Sequence, residues 1–117
     1  MPEIIEPDVA FYHWSPRARR KQITRRGMQP GSWSVGRDWK PPFVCFSHDP
    51  KLAWTLSGRI HPEILEWDLW LVYESDLEGY EKLTDTYVDT GRAYVKEVRV
   101  YHGIPKRNLW LVGERNA

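Results

Sequence analysis

From Leu65 to Glu74 the chain alternates, with Leu65, Trp67, Leu69, Leu71 and Tyr73 on one face and Glu66, Asp68 and Glu74 on the other, interrupted by Trp70 and Val72. Successive side chains of a β-strand point to opposite faces, so a period of two predicts a strand whose apolar side must be buried by other elements. The 117 residues available for that purpose suffice for one core. Two cores of half the size would bury too little surface to offset their ordering entropy. The expectation is a single domain over 1–117, with the proline-containing residues 1–7 as a loose lead-in.

The material for that core is unusual in kind, since seven Trp and six Tyr carry much of the apolar area. Large rings bury well, but their N–H and O–H groups need partners or solvent, and rings beyond the needs of a core often line a cleft. The lone Cys45 lies within Phe43-Val44-Cys45-Phe46 and reads as packing in a buried strand. No run approaches the length of a membrane span, and Met1-Pro2-Glu3 lacks the basic-then-apolar order of a secretory signal. A cytoplasmic protein with no membrane partner is expected.

Net charge is only +1, which gives the whole molecule no strong pull towards nucleic acid. Locally the balance is uneven: Arg17, Arg19, Arg20, Lys21, Arg25 and Arg26 are clustered, whereas the stretch from Glu63 to Glu81 is acidic. Such a basic run either meets phosphates or forms a solvated helix face balanced by acids elsewhere in the fold.

The pattern along the chain predicts alternating strands and short helices. Val9 to Trp14 reads as a strand, and Ser15-Pro16 as the N-cap and first residue of a helix that ends near Gly27. Ala18, Gln22, Ile23 and Met28 are its packing positions. The segment 29–42 reads as a long loop carrying Trp33 and Trp39, a candidate lid. Phe43 to Phe46 forms a second strand, and Asp49-Pro50 opens a short helix that stops at Gly58. Residues 75–92 lack a sustained period and read as a loop with a short strand near Thr86-Tyr87-Val88. Tyr94 to Tyr101 is β-rich, Gly103-Ile104-Pro105 makes a turn, and Asn108 to Val112 closes the domain as a strand.

Glycine-rich phosphate loops, paired Cys-x-x-Cys and His-Glu-x-x-His motifs are missing, which sets aside Walker-type NTPases, zinc ribbons and zincins. The histidines have no ligand spacing, so no metal is expected. Cys45 between Val44 and Phe46 has no flanking cation to activate its thiol. Polar residues at strand positions remain: His13, Ser47 and Glu97. In Tyr94 to Tyr101 the period of two puts Glu97 on the face of Val95, Arg99 and Tyr101, opposite Val98 and Val100. By pattern alone Glu97 is a solvent-facing carboxylate paired with Arg99 or a cross-strand lysine, worth at most about 1 kcal/mol.

The order of segments adds a second reading. Phe11-Tyr12-His13-Trp14-Ser15-Pro16, then a helix ending Arg26-Gly27-Met28, resembles the opening of ADP-ribosyltransferase-like domains. Val44-Cys45-Phe46-Ser47 with Asp49-Pro50 and Ala53 is similar to the family's strand that ends in Ser before a short helix. Lys96-Glu97-Val98-Arg99-Val100, running into Gly103-Ile104-Pro105 and Asn108-Leu109-Trp110, resembles its Glu-bearing strand. The matches cover roughly half the chain, and it is their joint order that carries the likeness.

The resemblance implies an α+β fold, a split and mostly antiparallel β-sheet with two short helices, which holds NAD as substrate in its cleft. It also implies roles. Glu97 would be the catalytic carboxylate, His13 would bind a ribose, Ser47 would support the nicotinamide side, and Tyr12 or Trp33 would stack on nicotinamide. Two departures narrow it: Val95 stands where arginine-modifying members carry Glu or Gln, and Ser47 is followed by His48 and Asp49 instead of completing a Ser-Thr-Ser motif. The single-Glu relatives, some acting on nucleic-acid bases or RNA 2′-phosphates, are the nearer analogues. Arg19, Arg20, Arg25 and Arg26 would then meet an acceptor, a nucleic acid or a host protein, as in a toxin or phage-type effector. The alternative is an inactive domain of the same fold that binds a protein or nucleotide.

Overall fold

Strands β1 (Ala10–Pro16), β3 (Glu66–Tyr73) and β6 (Trp110–Asn116) form one antiparallel sheet in the order β1-β3-β6. A second antiparallel sheet holds β2 (Val44–Phe46), β5 (Tyr94–Val100) and β4 (Lys82–Asp89) in the order β2-β5-β4. Helices α1 (Arg20–Arg26) and α2 (Pro50–Ser57) complete an α+β domain. These elements belong to a computed structural model that describes residues 7–30, 42–58, 61–89 and 94–117. The proposed lid over 29–42 falls mostly outside the described residues, and Trp33 and Trp39 fall wholly outside them.

β1 and β3 pair in register from Ala10 opposite Tyr73 to Pro16 opposite Trp67. Because both strands are covered on two faces, each feeds two apolar clusters. Phe11, Trp70 and Val72 enter the larger one with Ile23 of α1, Val44 and Phe46 of β2, and Val98 and Val100 of β5. Trp14, Trp67 and Leu69 enter the smaller one with Ala53 of α2, and Tyr12 and Trp54 pack against it. The interruption of β3 by Trp70 and Val72 is thus the second buried face of a central strand. Asp68, expected on a polar face, is instead fully buried.

Part of the aromatic excess is core, with Phe11, Phe46, Trp14, Trp67 and Trp70 buried, whereas Tyr87, Tyr94 and Trp110 are exposed. Trp54 meets Trp14 and Trp67 edge to face, with centroids 5.5 and 5.4 Å apart. The N–H groups of Trp14 and Trp67 are met by backbone, Trp14 Nε1 donating to the Pro50 carbonyl and Trp67 Nε1 to the Ile64 carbonyl, each at 2.9 Å.

Several boundaries differ from expectation, each for a reason in the tertiary contacts. Ser15 is no N-cap: it is buried in β1, which continues to Pro16 because β3 offers it partners. A 3₁₀ turn over Arg17–Arg19 then leads into α1, and Ile23 is its buried residue. Ala18 and Gln22 are exposed, while Met28 packs beyond the helix end. Within 75–92 the short strand expected near Thr86-Tyr87-Val88 is part of a longer one, the eight-residue β4. Its sequence lacks an apolar period because it is an edge strand whose residues alternate only between half-buried and exposed. β6 runs on to Asn116 through polar residues, since pairing with β3 extends it.

The helix ends follow local chemistry as read. Asp49 caps α2, its carboxylate accepting from the Leu52 N–H at 2.9 Å, with Pro50 at the first turn. Gly27 ends α1 at φ 78°, and Met28 then exchanges two backbone hydrogen bonds with Ile104 of the Gly103-Ile104-Pro105 turn. Among the described residues no helix is long and apolar enough to cross a membrane.

Candidate active site at the junction of the sheets

The two sheets meet where β1 passes the end of β2. Tyr12 N–H donates to the Ser47 carbonyl at 2.8 Å, and Ser47 N–H donates back at 2.9 Å, an isolated antiparallel bridge. One residue further along β1, His13 Nδ1 lies 2.5 Å from the Cys45 carbonyl oxygen, and its ring sits edge-on to Phe46. A carbonyl only accepts, so Nδ1 carries the proton and the neutral ring keeps Nε2 as an acceptor. Burial pushes the His13 imidazole below its ordinary value; the bond to Cys45 opposes this and the charge of Arg19 adds to it.

Cys45 connects His13 to Glu97. In the β2–β5 register Cys45 stands opposite Arg99, and Glu97 is two residues along β5 on the same face. Cys45 Sγ donates to Glu97 Oε2 at 2.9 Å, and Arg99 Nε donates to Oε1. The Arg99 guanidinium lies over the Phe43 ring, 4.5 Å from its centroid. Glu97 and Arg99 are only 4% and 7% exposed. The pairing with Arg99 is as the strand pattern suggests, but the carboxylate is buried rather than solvent-facing.

The thiol of Cys45 does have a cation nearby, contrary to the reading from its sequence neighbours, because the register brings Arg99 across from it. Even so burial, followed by the charge and hydrogen bond of Glu97, pushes it well above the ordinary thiol value, and Arg99 only partly offsets this. The resting thiol is a weak hydrogen-bond donor, not an activated nucleophile.

Ser47 is fully buried, and its Oγ has no hydrogen-bond partner among the described residues. His48 Nε2 and Trp70 Nε1 share that condition. Buried polar groups are nearly always satisfied, so each such atom marks a place where a ligand or water would be welcome. Tyr12 is half-buried against the smaller cluster, and Trp33 lies outside the described residues. Two open hollows of about 510 and 540 Å³ lie elsewhere, one lined by Pro7 to Val9, Glu74, Ser75, Glu78 and Lys82, the other by Asp49 to Leu52.

The basic segment divides. Arg20 grips Asp68 through Nε at 2.8 Å and Nη2 at 2.6 Å, and Nη2 also reaches Glu114 at 2.6 Å. Arg17 joins the same carboxylates and Glu66. For these two the balancing acids elsewhere in the fold are found. Arg25 and Arg26 are exposed in the last turn of α1, and Arg19 is half-buried. Sequence reasoning offered Arg99 as a partner of Glu97 but missed that Cys45 and Phe43 join them. No local signal marks those two, because the β2–β5 register brings them to this face.

Set against known proteins, the chain matches no family model and no curated protein sequence.

Proposed function

We propose that the protein cleaves the nicotinamide–ribose bond of NAD, as a glycohydrolase or an ADP-ribosyltransferase, with Glu97 as the catalytic carboxylate. The observation that carries this reading is the convergence of three widely separated segments: His13 reaches the Cys45 carbonyl, and the Cys45 thiol reaches Glu97. In the reaction the bond between ribose C1′ and the pyridinium nitrogen breaks and its electron pair goes to the nitrogen, releasing neutral nicotinamide. The positive charge left on the ribose is stabilised by a carboxylate near the 2′-hydroxyl, and water or an acceptor adds at C1′ with loss of a proton. His13 and Ser47 would hold the ribose and nicotinamide sides, and the exposed Arg25 and Arg26 would meet an anionic acceptor.

A binding module is the competing reading. It is favoured by the occupancy of both Glu97 oxygens by the protein's own donors. Incubation with NAD decides between them. The wild type should release nicotinamide and Glu97→Gln should not. Equal release from the two proteins defeats the enzymatic reading, and NAD-dependent thermal stabilisation without release favours the module.

A further inference from the structure

The Glu97 carboxylate is held unequally. Oε1 receives the charged Nε–H of Arg99, whereas Oε2 receives only the thiol of Cys45. A guanidinium bond to a carboxylate is charge-assisted and directional, whereas a thiol is a weak donor that yields to a hydroxyl. Arg99 is itself fixed: its guanidinium rests on Phe43 at 4.5 Å, and it is nearly fully buried. A buried carboxylate also needs a counter-charge to stay ionised, and Arg99 is the cation in contact with it.

We propose that Arg99, its guanidinium held on the Phe43 ring, is the positioning residue of Glu97, anchoring Oε1 so that Oε2 is the oxygen presented to the ribose hydroxyl, with the Cys45 thiol giving way to it. This rests on the NAD-cleaving reading above. Arg99 touches no substrate in this scheme; it acts through the orientation and charge of Glu97. Phe43 contributes by preventing the guanidinium from swinging away.

The test is nicotinamide release by the full chain over a range of NAD concentrations, for wild type, Arg99→Met, Arg99→Lys and Phe43→Leu, with thermal melts of each. Arg99→Met should lower kcat by about 10-fold or more while KM moves less than about 2-fold, because orientation and not binding is lost. Arg99→Lys, which restores the charge without the planar fork, should recover part of kcat. If Arg99→Met does not fold, Phe43→Leu decides: about a 3-fold loss of kcat at unchanged KM supports the role, and unchanged kcat overturns it. A wild-type kcat in folded Arg99→Met, or a loss confined to KM, overturns the role of Arg99 while leaving the NAD reading intact. A wild type that releases no nicotinamide removes both.

Discussion

Tyr12 and Ser47 exchange backbone hydrogen bonds of 2.8 and 2.9 Å, and this pair joins β1 of one sheet to the end of β2 in the other. On either side of it the strands belong to different sheets, so His13 and Cys45 come together at a point of divergence. The Ser47 hydroxyl, buried at that point, has no hydrogen-bond partner among the described residues.

That hydroxyl supplies a test separating folding from ligand binding. Removing a buried polar atom that has no partner costs the fold nothing and relieves a desolvation penalty. Ser47→Ala is therefore expected to melt at the wild-type temperature or slightly above, by up to about 1 kcal/mol of added stability. If Ser47 supports the nicotinamide side, the same variant raises KM for NAD several-fold. A clear loss of stability would mean that the hydroxyl has a structural partner after all.

His13 makes stability depend on pH. Its folded-state value lies below the ordinary 6.5, chiefly through burial. As pH falls through about 6.5 the unfolded chain takes up a proton that the folded ring resists, so the unfolded state binds more protons and stability declines towards about pH 5. Melting temperatures measured in steps from about pH 7 to about pH 5 should fall for wild type and less steeply for His13→Gln. Parallel curves would show that the ring is not buried neutral.

Asp68 anchors α1 to the first sheet. Burial alone would raise its carboxyl, but the hydrogen bonds and charges of Arg20 and then Arg17 outweigh this and hold it below the ordinary 3.8. Asp68→Asn leaves two guanidinium groups with one fully buried partner fewer. Both arginines retain solvent and Glu114, so a loss of about 2–3 kcal/mol is expected in urea denaturation, towards the lower end for a broken buried pair. The stabilisation is present above about pH 4 and fades as pH falls through the lowered folded value.

Gly27 is required by position. At φ +78° a Cβ would stand 2.1 Å from the Ile104 carbonyl oxygen, which accepts the Met28 N–H at 2.9 Å. Gly27→Ala should cost about 2–4 kcal/mol through backbone strain and the disrupted bridge. Chemical denaturation measures this directly, and a wild-type midpoint would contradict it.

Local chemistry made much of the domain legible from residues alone. The β3 period, the Asp49-Pro50 start of α2, the Gly27 end of α1 and the opposite facing of Glu97 and Val98 all depend on neighbours within a few positions. Of strand β4 only the short stretch near Thr86-Tyr87-Val88 was legible, because an edge strand half-open to solvent needs no apolar face. Ser15 was misread because capping and strand extension suit the same residue, and only β3 decides between them.

The sequence by itself determined which residues lie on the Glu97 face of β5, since alternation is a property of the backbone. Tertiary structure alone decided that this face is buried, that Cys45 of a distant strand bonds Glu97, and that Arg17 and Arg20 are paired with Asp68. Those outcomes turn on strand register and on which sheet covers which, and contacts between residues 48 to 52 positions apart leave no mark in local pattern.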